Sequence, residues 1–318
     1  MISKEISISA YSSIAVSHIG VLGSVEWLSI YDNVTCVGIY NNSEQLIGGF
    51  YYLKVKKFGF DFIKLPPYSP YCGLFFVNES KNKSAKNDAT KEIMTEVSQY
   101  ISRQKAALCI LAFPSEILDL QPLFWDKYKV IPNYTYRIDL SQSIEEIKSN
   151  FDSKNRNKIN KSLKEDLIIE ENALDKDIQF DFFESFLSST GANVYENVLK
   201  NIVTKFSNQN NSFCFSAKKN NELLGAVFCI YDKNTCYYIL AAVNKNSGVQ
   251  GVNNLLVQKS IEKAKDFGCR IFDFEGSMIK GVEKFFRSFG PELIPYFTVN
   301  KAILPLEILL KFKKRELF

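Results

Sequence analysis

The stretch Glu222-Leu223-Leu224-Gly225-Ala226-Val227-Phe228-Cys229-Ile230-Tyr231, Asp232-Lys233-Asn234, Thr235-Cys236-Tyr237-Tyr238-Ile239-Leu240-Ala241-Ala242-Val243 decides the fold. Two apolar runs around a short polar turn predict a β-hairpin. The second run passes into Asn244-Lys245-Asn246-Ser247-Gly248-Val249-Gln250-Gly251-Val252-Asn253-Asn254. Beyond it Val257, Ile261 and Ala264 keep helical spacing until Gly268 stops the pattern. The result is strand, glycine-containing loop, helix. Such a junction presents free backbone N–H groups at the positive end of a helix dipole, and Gly248 and Gly251 let a ligand approach the main chain. No acid occurs from Val243 through Ser260 to repel an anion. Ser247, Gly248, Val249, Gln250 and Gly251 are therefore a candidate pyrophosphate cradle. Ordinary turn chemistry explains most loops of this kind, so a second signal is needed.

That signal follows in Cys269-Arg270-Ile271-Phe272-Asp273-Phe274-Glu275-Gly276-Ser277, which reads as a strand. Residues two apart share a face, so Phe272 and Phe274 can be buried while Asp273 and Glu275 point the other way. Two carboxylates on one face cost free energy unless they meet water, cations or a substrate amine. Like charge and partial burial raise at least one pKa, which suits a general base for an attacking amine. The competing reading is a structural ion pair with Arg287, Lys284 or Arg270.

Upstream, residues 154–164 carry Lys154, Arg156, Lys158, Lys161 and Lys164 with no acid, and the C-terminal run 311–315 is similarly basic. Arg156, Lys158 and Lys161 are candidate clamps for acceptor phosphates, set against a plain solvated helix face. Arg287, Tyr68 and Tyr71 complete the candidate acceptor-binding set. The two tyrosines lie on a loop stiffened by Pro66, Pro67 and Pro70, where simple loop packing is the alternative.

Farther out, strands are predicted at 35–40, 46–55, 74–77, 106–112 and 134–138, with helices at 90–105 and 115–127. Ser141 or Ser143 ahead of Glu145 and Glu146 predicts a capped helix through Ile144, Ile147 and Phe151, and helical segments follow at 180–188 and 194–206. Alternating α and β indicates an α/β chain with a boundary near Leu140, giving domains 1–140 and 141–318.

Composition supplies exclusions. The chain has 318 residues, 46% hydrophobic, which is enough for two ordinary cores. Net charge is only +4, too mild to mark a nucleic-acid binder. With one histidine, His18, in an ordinary packing context, histidine-based relays and metal sites are not expected. Seven scattered cysteines without a CxxC imply reduced, buried thiols in a cytosolic protein. Neither a secretory leader nor a membrane-spanning run is expected.

The order hairpin, Ser247-Gly248 loop, helix ending Phe267-Gly268, strand Phe272-Asp273-Phe274-Glu275-Gly276, then Gly281-Val282-Glu283-Lys284-Phe285-Phe286-Arg287-Ser288-Phe289-Gly290 resembles the FemABX and BioF2-like GNAT acyltransferases. Tyr136-Arg137-Ile138-Asp139-Leu140-Ser141 and the basic helix after it resemble that family's entry to its second half. Before Leu120 the likeness is faint, resting on Trp27-Leu28 and the 66–71 loop.

The resemblance implies two tandem GNAT-like domains, each a mixed sheet flanked by helices. It also implies transfer of an acyl or aminoacyl group to an amine on a cell-envelope sugar or peptidoglycan-type precursor. Two departures favour an acyl-CoA co-substrate over aminoacyl-tRNA. Residues 143–206 look too interrupted for the long helical hairpin of the tRNA-dependent members, and Phe286 stands where they tend to carry lysine. No tightly bound cofactor or metal is expected. Glu275 or Asp273 is the candidate base, and Tyr238 the candidate acid for the leaving thiolate. The rivals are an RNA binder, whose affinity would fall steeply with salt, and a non-catalytic GNAT-like adaptor resting on the inner membrane face through residues 303–315.

Overall fold

The computed structural model describes residues 1–276, 278–314 and 318. The chain forms two compact units, Met1–Asn133 with Pro295–Phe318, and Tyr134–Ile294. This division differs from the expected 1–140 and 141–318. The last residues return to the first unit because residues 297–302 of the final strand pair with the strand Leu108–Phe113 there.

In the first unit the chain runs through β1 (Ile2–Ile6), α1 (Ile8–Ile19), α2 (Val25–Leu28), β2 (Val34–Tyr40), β3 (Leu46–Lys57), β4 (Phe60–Lys64), β5 (Phe75–Phe76), α3 (Lys83–Arg103), β6 (Leu108–Phe113) and α4 (Gln121–Trp125). The strand β7 (Lys129–Asp139) leads onward to the second unit. Pairing is antiparallel along β1-β2-β3-β4, then parallel from β4 to β6. Strand alternation in β3 assigns its large side chains. Phe50 and Tyr52 join the cluster with Ile93, Met94 and Val97 of α3, while Tyr51 meets Tyr11 of α1 edge-on at 5.9 Å.

The second unit adds α5 (Ile144–Ser149), α6 (Ser153–Ser162), β8 (Ile168–Glu171), α7 (Lys176–Ser189), α8 (Glu196–Asn201), a π-helical turn Ile202–Phe206, β9 (Ser212–Lys219), β10 (Glu222–Tyr231), β11 (Thr235–Val243), α9 (Val252–Asp266), β12 (Ile271–Asp273) and α10 (Lys280–Arg287). After these, β13 (Glu292–Ala302) leads back and α11 (Leu304–Lys313) ends the described fold. Over 297–302, β13 pairs antiparallel with β6. The sheet of the second unit has the order β7-β12-β11-β10-β9-β8, with the parallel pair β11/β12 near its middle. On one face, Leu255, Leu256 and Ile261 of α9 pack with Ile138, Val227, Tyr238, Phe272 and Phe274.

The hairpin, the α9 helix and the capping box at Ser143 and Glu146 form as their sequences predict. The carboxylate-bearing strand is shorter than read, ending at Asp273, because Glu275 adopts φ 62° and leaves the extended region. Asp273 and Glu275 are thus not two teeth of one strand face. Ser277, the last residue of that expected strand, lies outside the described residues, as do Arg315 and its two successors in the basic tail. All seven cysteines are free and buried.

Candidate active site

Three neighbouring strands put polar groups side by side. Tyr237 on β11 is in register with Asp273 on β12, which is in register with Arg137 on β7. Registered partners share a face, so these three lie on one side of the sheet together with Thr135, two residues before Arg137. The other side takes Tyr136, Ile138, Phe272, Phe274 and Tyr238 into the α9 core.

Asp273 is fully buried and fully occupied. Thr135 Oγ1 donates to its Oδ1 at 2.6 Å, Arg137 Nε to its Oδ2 at 2.7 Å, and the Glu275 N–H to its Oδ1 at 2.8 Å. Asp273 therefore has the environment of a structural carboxylate rather than a base. Its cation is Arg137, not the expected Arg270, Lys284 or Arg287.

Glu275 is the reverse case. Its Oε1 is shielded from solvent and has no hydrogen-bond partner among the described residues. Burial, then the neighbouring Asp273 charge, push its carboxyl well above the usual carboxylate range. A half-buried glutamate with a shielded, spare Oε1 and a pKa raised above the usual carboxylate range has the features of a general base.

Beside these groups the sheet opens. β12 pairs with β11 only from Thr235 to Tyr237, while β11 runs on to Val243. Phe228 pairs with Leu240 and Cys229 with Tyr238, so Ile239 is an extra residue on β11, a β-bulge at the point where the two strands part. A bulge leaves backbone groups outside the ladder, and bulges recur next to active sites. The bulge also flips the strand's alternation, which puts Ala241 and Val243 against the α9 core after Tyr238.

At the far end of β11 the loop 244–251 delivers the chain to α9. Gly251 is the left-handed N-cap at φ 82°, no side chain caps the helix, and no acid occupies its first turn. Gly248 and Gln250 are exposed. Helix α6 flanks this turn: Ser162 Oγ donates to the Gln250 carbonyl at 2.7 Å, and Asn254 Nδ2 to Asn155 Oδ1 at 2.9 Å. A Cβ on Gly251 would overlap the Lys158 carbonyl, whereas one on Gly248, also left-handed, would meet open space. Gly251→Ala is accordingly expected to cost about 2–4 kcal/mol by forcing α6 outward, and Gly248→Ala about 1 kcal/mol. Thermal unfolding of the two variants checks the contrast.

The remaining expected site residues separate. Tyr238 is buried in an aromatic cluster, edge-on to Phe286 at 5.6 Å. Burial raises its hydroxyl pKa against a hydrogen bond from Asn253 in the first turn of α9. Arg156 spends its guanidinium on the Ser149 and Phe151 carbonyls, and Arg287 pairs with Glu283 at 2.7 Å. Lys158 and Lys161 remain exposed on α6. In the first unit, Tyr71 is buried edge-on to Tyr296 at 5.4 Å, which is loop packing, and Tyr68 is half-buried with φ 61°. Of Tyr237 and Tyr238, only one of which can face a cleft, sequence reading favours Tyr238, whereas it is Tyr237 that shares the Asp273 face; it passes over Thr135, the ion-pairing part of Arg137 and the bulge at Ile239. The alternation Thr135, Arg137, Asp139 against Tyr136, Ile138, Leu140 is the signal that marks Thr135 and Arg137.

Among curated proteins none matches the sequence. The family model of the acetyltransferase (GNAT) domain matches residues 182–287, from α7 to the end of α10. Among solved structures, FemX is similar over 98% of this chain and 100% of its own, with TM-score 0.64 and 14% identity. L-PGS from Bacillus licheniformis is similar over 98% of both chains, with TM-score 0.58 and 12% identity. A tandem GNAT protein from the clavulanic acid biosynthesis pathway covers 84% of this chain and 82% of its own, with TM-score 0.52 and 8% identity. Parted parallel strands, a bulge and an uncapped helix start thus sit inside the matched segment: residues 182–287 match the acetyltransferase (GNAT) domain model, and the chain's fold is like that of FemX and of a tandem GNAT protein.

Proposed function

We propose that the second unit transfers an acyl group from acyl-CoA to the amine of a cell-envelope sugar or peptidoglycan-type precursor, with Glu275 as general base. The observation that carries this reading is the Glu275 carboxyl, with its raised pKa and unpartnered oxygen, close to where β11 and β12 part. The donor diphosphate lies against the exposed part of the 247–251 loop ahead of α9, held by its backbone N–H groups, with Lys158 and Lys161 on the adjacent helix adding positive charge. The thioester enters the opening between the two strands, and bulge N–H groups near Ile239 stabilise the oxyanion.

The acceptor nitrogen attacks the thioester carbonyl, the C–N bond forms and the C–S bond breaks. Glu275 takes the amine proton and the leaving thiolate takes one from solvent, because Tyr238 lies among Phe272, Phe274 and Phe286 with its hydroxyl pKa raised by burial. Most of the rate comes from positioning, and no covalent enzyme intermediate is needed.

The choice of CoA over aminoacyl-tRNA is supported by the segment 143–206, whose longest helix has 14 residues and which contains no long helical hairpin. Titration calorimetry with CoA tests it. Micromolar binding is expected, weakened about tenfold by Lys158→Glu with Lys161→Glu. Absence of CoA binding together with retention of aminoacyl-tRNA in native mass spectrometry would replace the donor and leave the transfer chemistry standing.

A further inference from the structure

Helix α11 keeps most of its apolar side chains in solvent. Leu306 and Leu310 are half-buried, while Leu304, Ile308, Leu309 and Phe312 are exposed. Leu304, Ile308 and Phe312 follow at four-residue spacing, so they form one exposed apolar stripe, with Phe312 86% exposed. Among the described residues no helix is long and apolar enough to cross a membrane. A stripe of this kind costs free energy in water unless something covers it.

A second element shows the same feature at the same end of the sheet. The β3–β4 turn carries Phe58, 96% exposed at φ 51°, and Phe60, also exposed. Strand pairing fixes its position relative to α11. The Ala107 N–H donates to the Asp61 carbonyl at 2.8 Å, and the Ile303 N–H, at the start of α11, donates to the Ala107 carbonyl at 3.0 Å. The turn and the helix therefore leave the first unit from one edge.

Charge surrounds both apolar groups. Lys54, Lys56 and Lys57 precede Phe58, and Lys311, Lys313 and Lys314 flank Phe312. Lys64 lies close enough to Lys57 and Lys314 that, after its own burial, their charges help depress its pKa. The acids at this end are few. Asp61 pairs with Lys54 at 3.3 Å, Glu307 pairs with Lys311 at 2.9 Å, and Asp32 is exposed at the start of β2. Exposed aromatic and aliphatic tips ringed by lysines that outnumber the acids beside them match a surface that is apolar inside and anionic outside.

We infer that the β3–β4 turn and α11 together form a docking face for an anionic lipid bilayer, with Phe58 and Phe312 inserted at the headgroup level and the lysines on the lipid phosphates. Such docking is peripheral and reversible, since the apolar contact is a few side chains deep. It is independent of the transfer site in the second unit, and it would keep the enzyme where a membrane-borne acceptor is found.

The full chain should co-sediment with phosphatidylglycerol–phosphatidylcholine vesicles and not with phosphatidylcholine alone, with binding weakened by salt. Phe58→Ser with Phe312→Ser should lower the partition coefficient at least about tenfold, and so should Lys57→Glu with Lys314→Glu. Both pairs are solvent-exposed, so circular dichroism should match wild type. A chain that ignores anionic vesicles, or variants that bind as wild type does, would overturn the inference. So would a wild-type dimer in sedimentation velocity that the phenylalanine variant dissolves, since the face would then belong to a second copy.

Discussion

Glu275→Gln is expected to lower turnover by about 10²–10⁴-fold while leaving CoA affinity unchanged, the loss associated with removing a positioned general base. The same change should stabilise the protein. The raised pKa means that the folded state favours the protonated carboxyl, so wild-type stability is fully present below the ordinary value of 4.5 and is lost as pH rises through the folded value. Glutamine mimics the protonated group without that loss. Its unfolding temperature should exceed wild type at neutral and alkaline pH, and the difference should close as pH falls below 4.5. Slower turnover with higher stability is the signature of a strained functional group. A variant that keeps wild-type turnover would remove Glu275 from the chemistry, and one that is less stable at pH 8 would make it a structural residue.

Arg137→Met should be the most destabilising single change in the second unit. Asp273 has no solvent exposure, and removing its guanidinium leaves a buried charge held only by the Thr135 hydroxyl and the Glu275 N–H. Breaking a buried pair from one side costs about 3–5 kcal/mol, which lowers the melting temperature by roughly 10 °C or more in a unit of this size. Adding Asp273→Asn to Arg137→Met should recover part of the loss, because the uncompensated charge is then gone. Differential scanning calorimetry of the two singles and the double reads the coupling. A loss below about 1 kcal/mol in Arg137→Met would mean that water already screens the pair.

The first half was harder to read than the second. Its helix α1 has no strong apolar period, because Tyr11, Ser12 and Ala15 face the core while Ile8, Val16 and Ile19 are not buried. Strand β4 is five residues with charged Asp61 and Lys64, too short and too polar to be predicted as a strand, and it forms because β3 pairs beside it. Trp27, by contrast, is fully buried, in keeping with the faint likeness noted before Leu120.

Local chemistry is what the residues determined unaided: the hairpin 222–243, the glycine turn into α9, the capping box at Ser143, and the presence of carboxylates where the next strand ends. These depend on neighbours a few positions apart, which periodicity and turn preference encode directly. Tertiary structure decided which carboxylate is spare. Arg137 and Asp273 lie 136 positions apart, and strand register alone brings them together. By occupying Asp273, that pair leaves Glu275 as the carboxyl of the two whose shielded Oε1 has no partner among the described residues, a distinction that depends on burial and geometry and so is written in no local stretch of the chain.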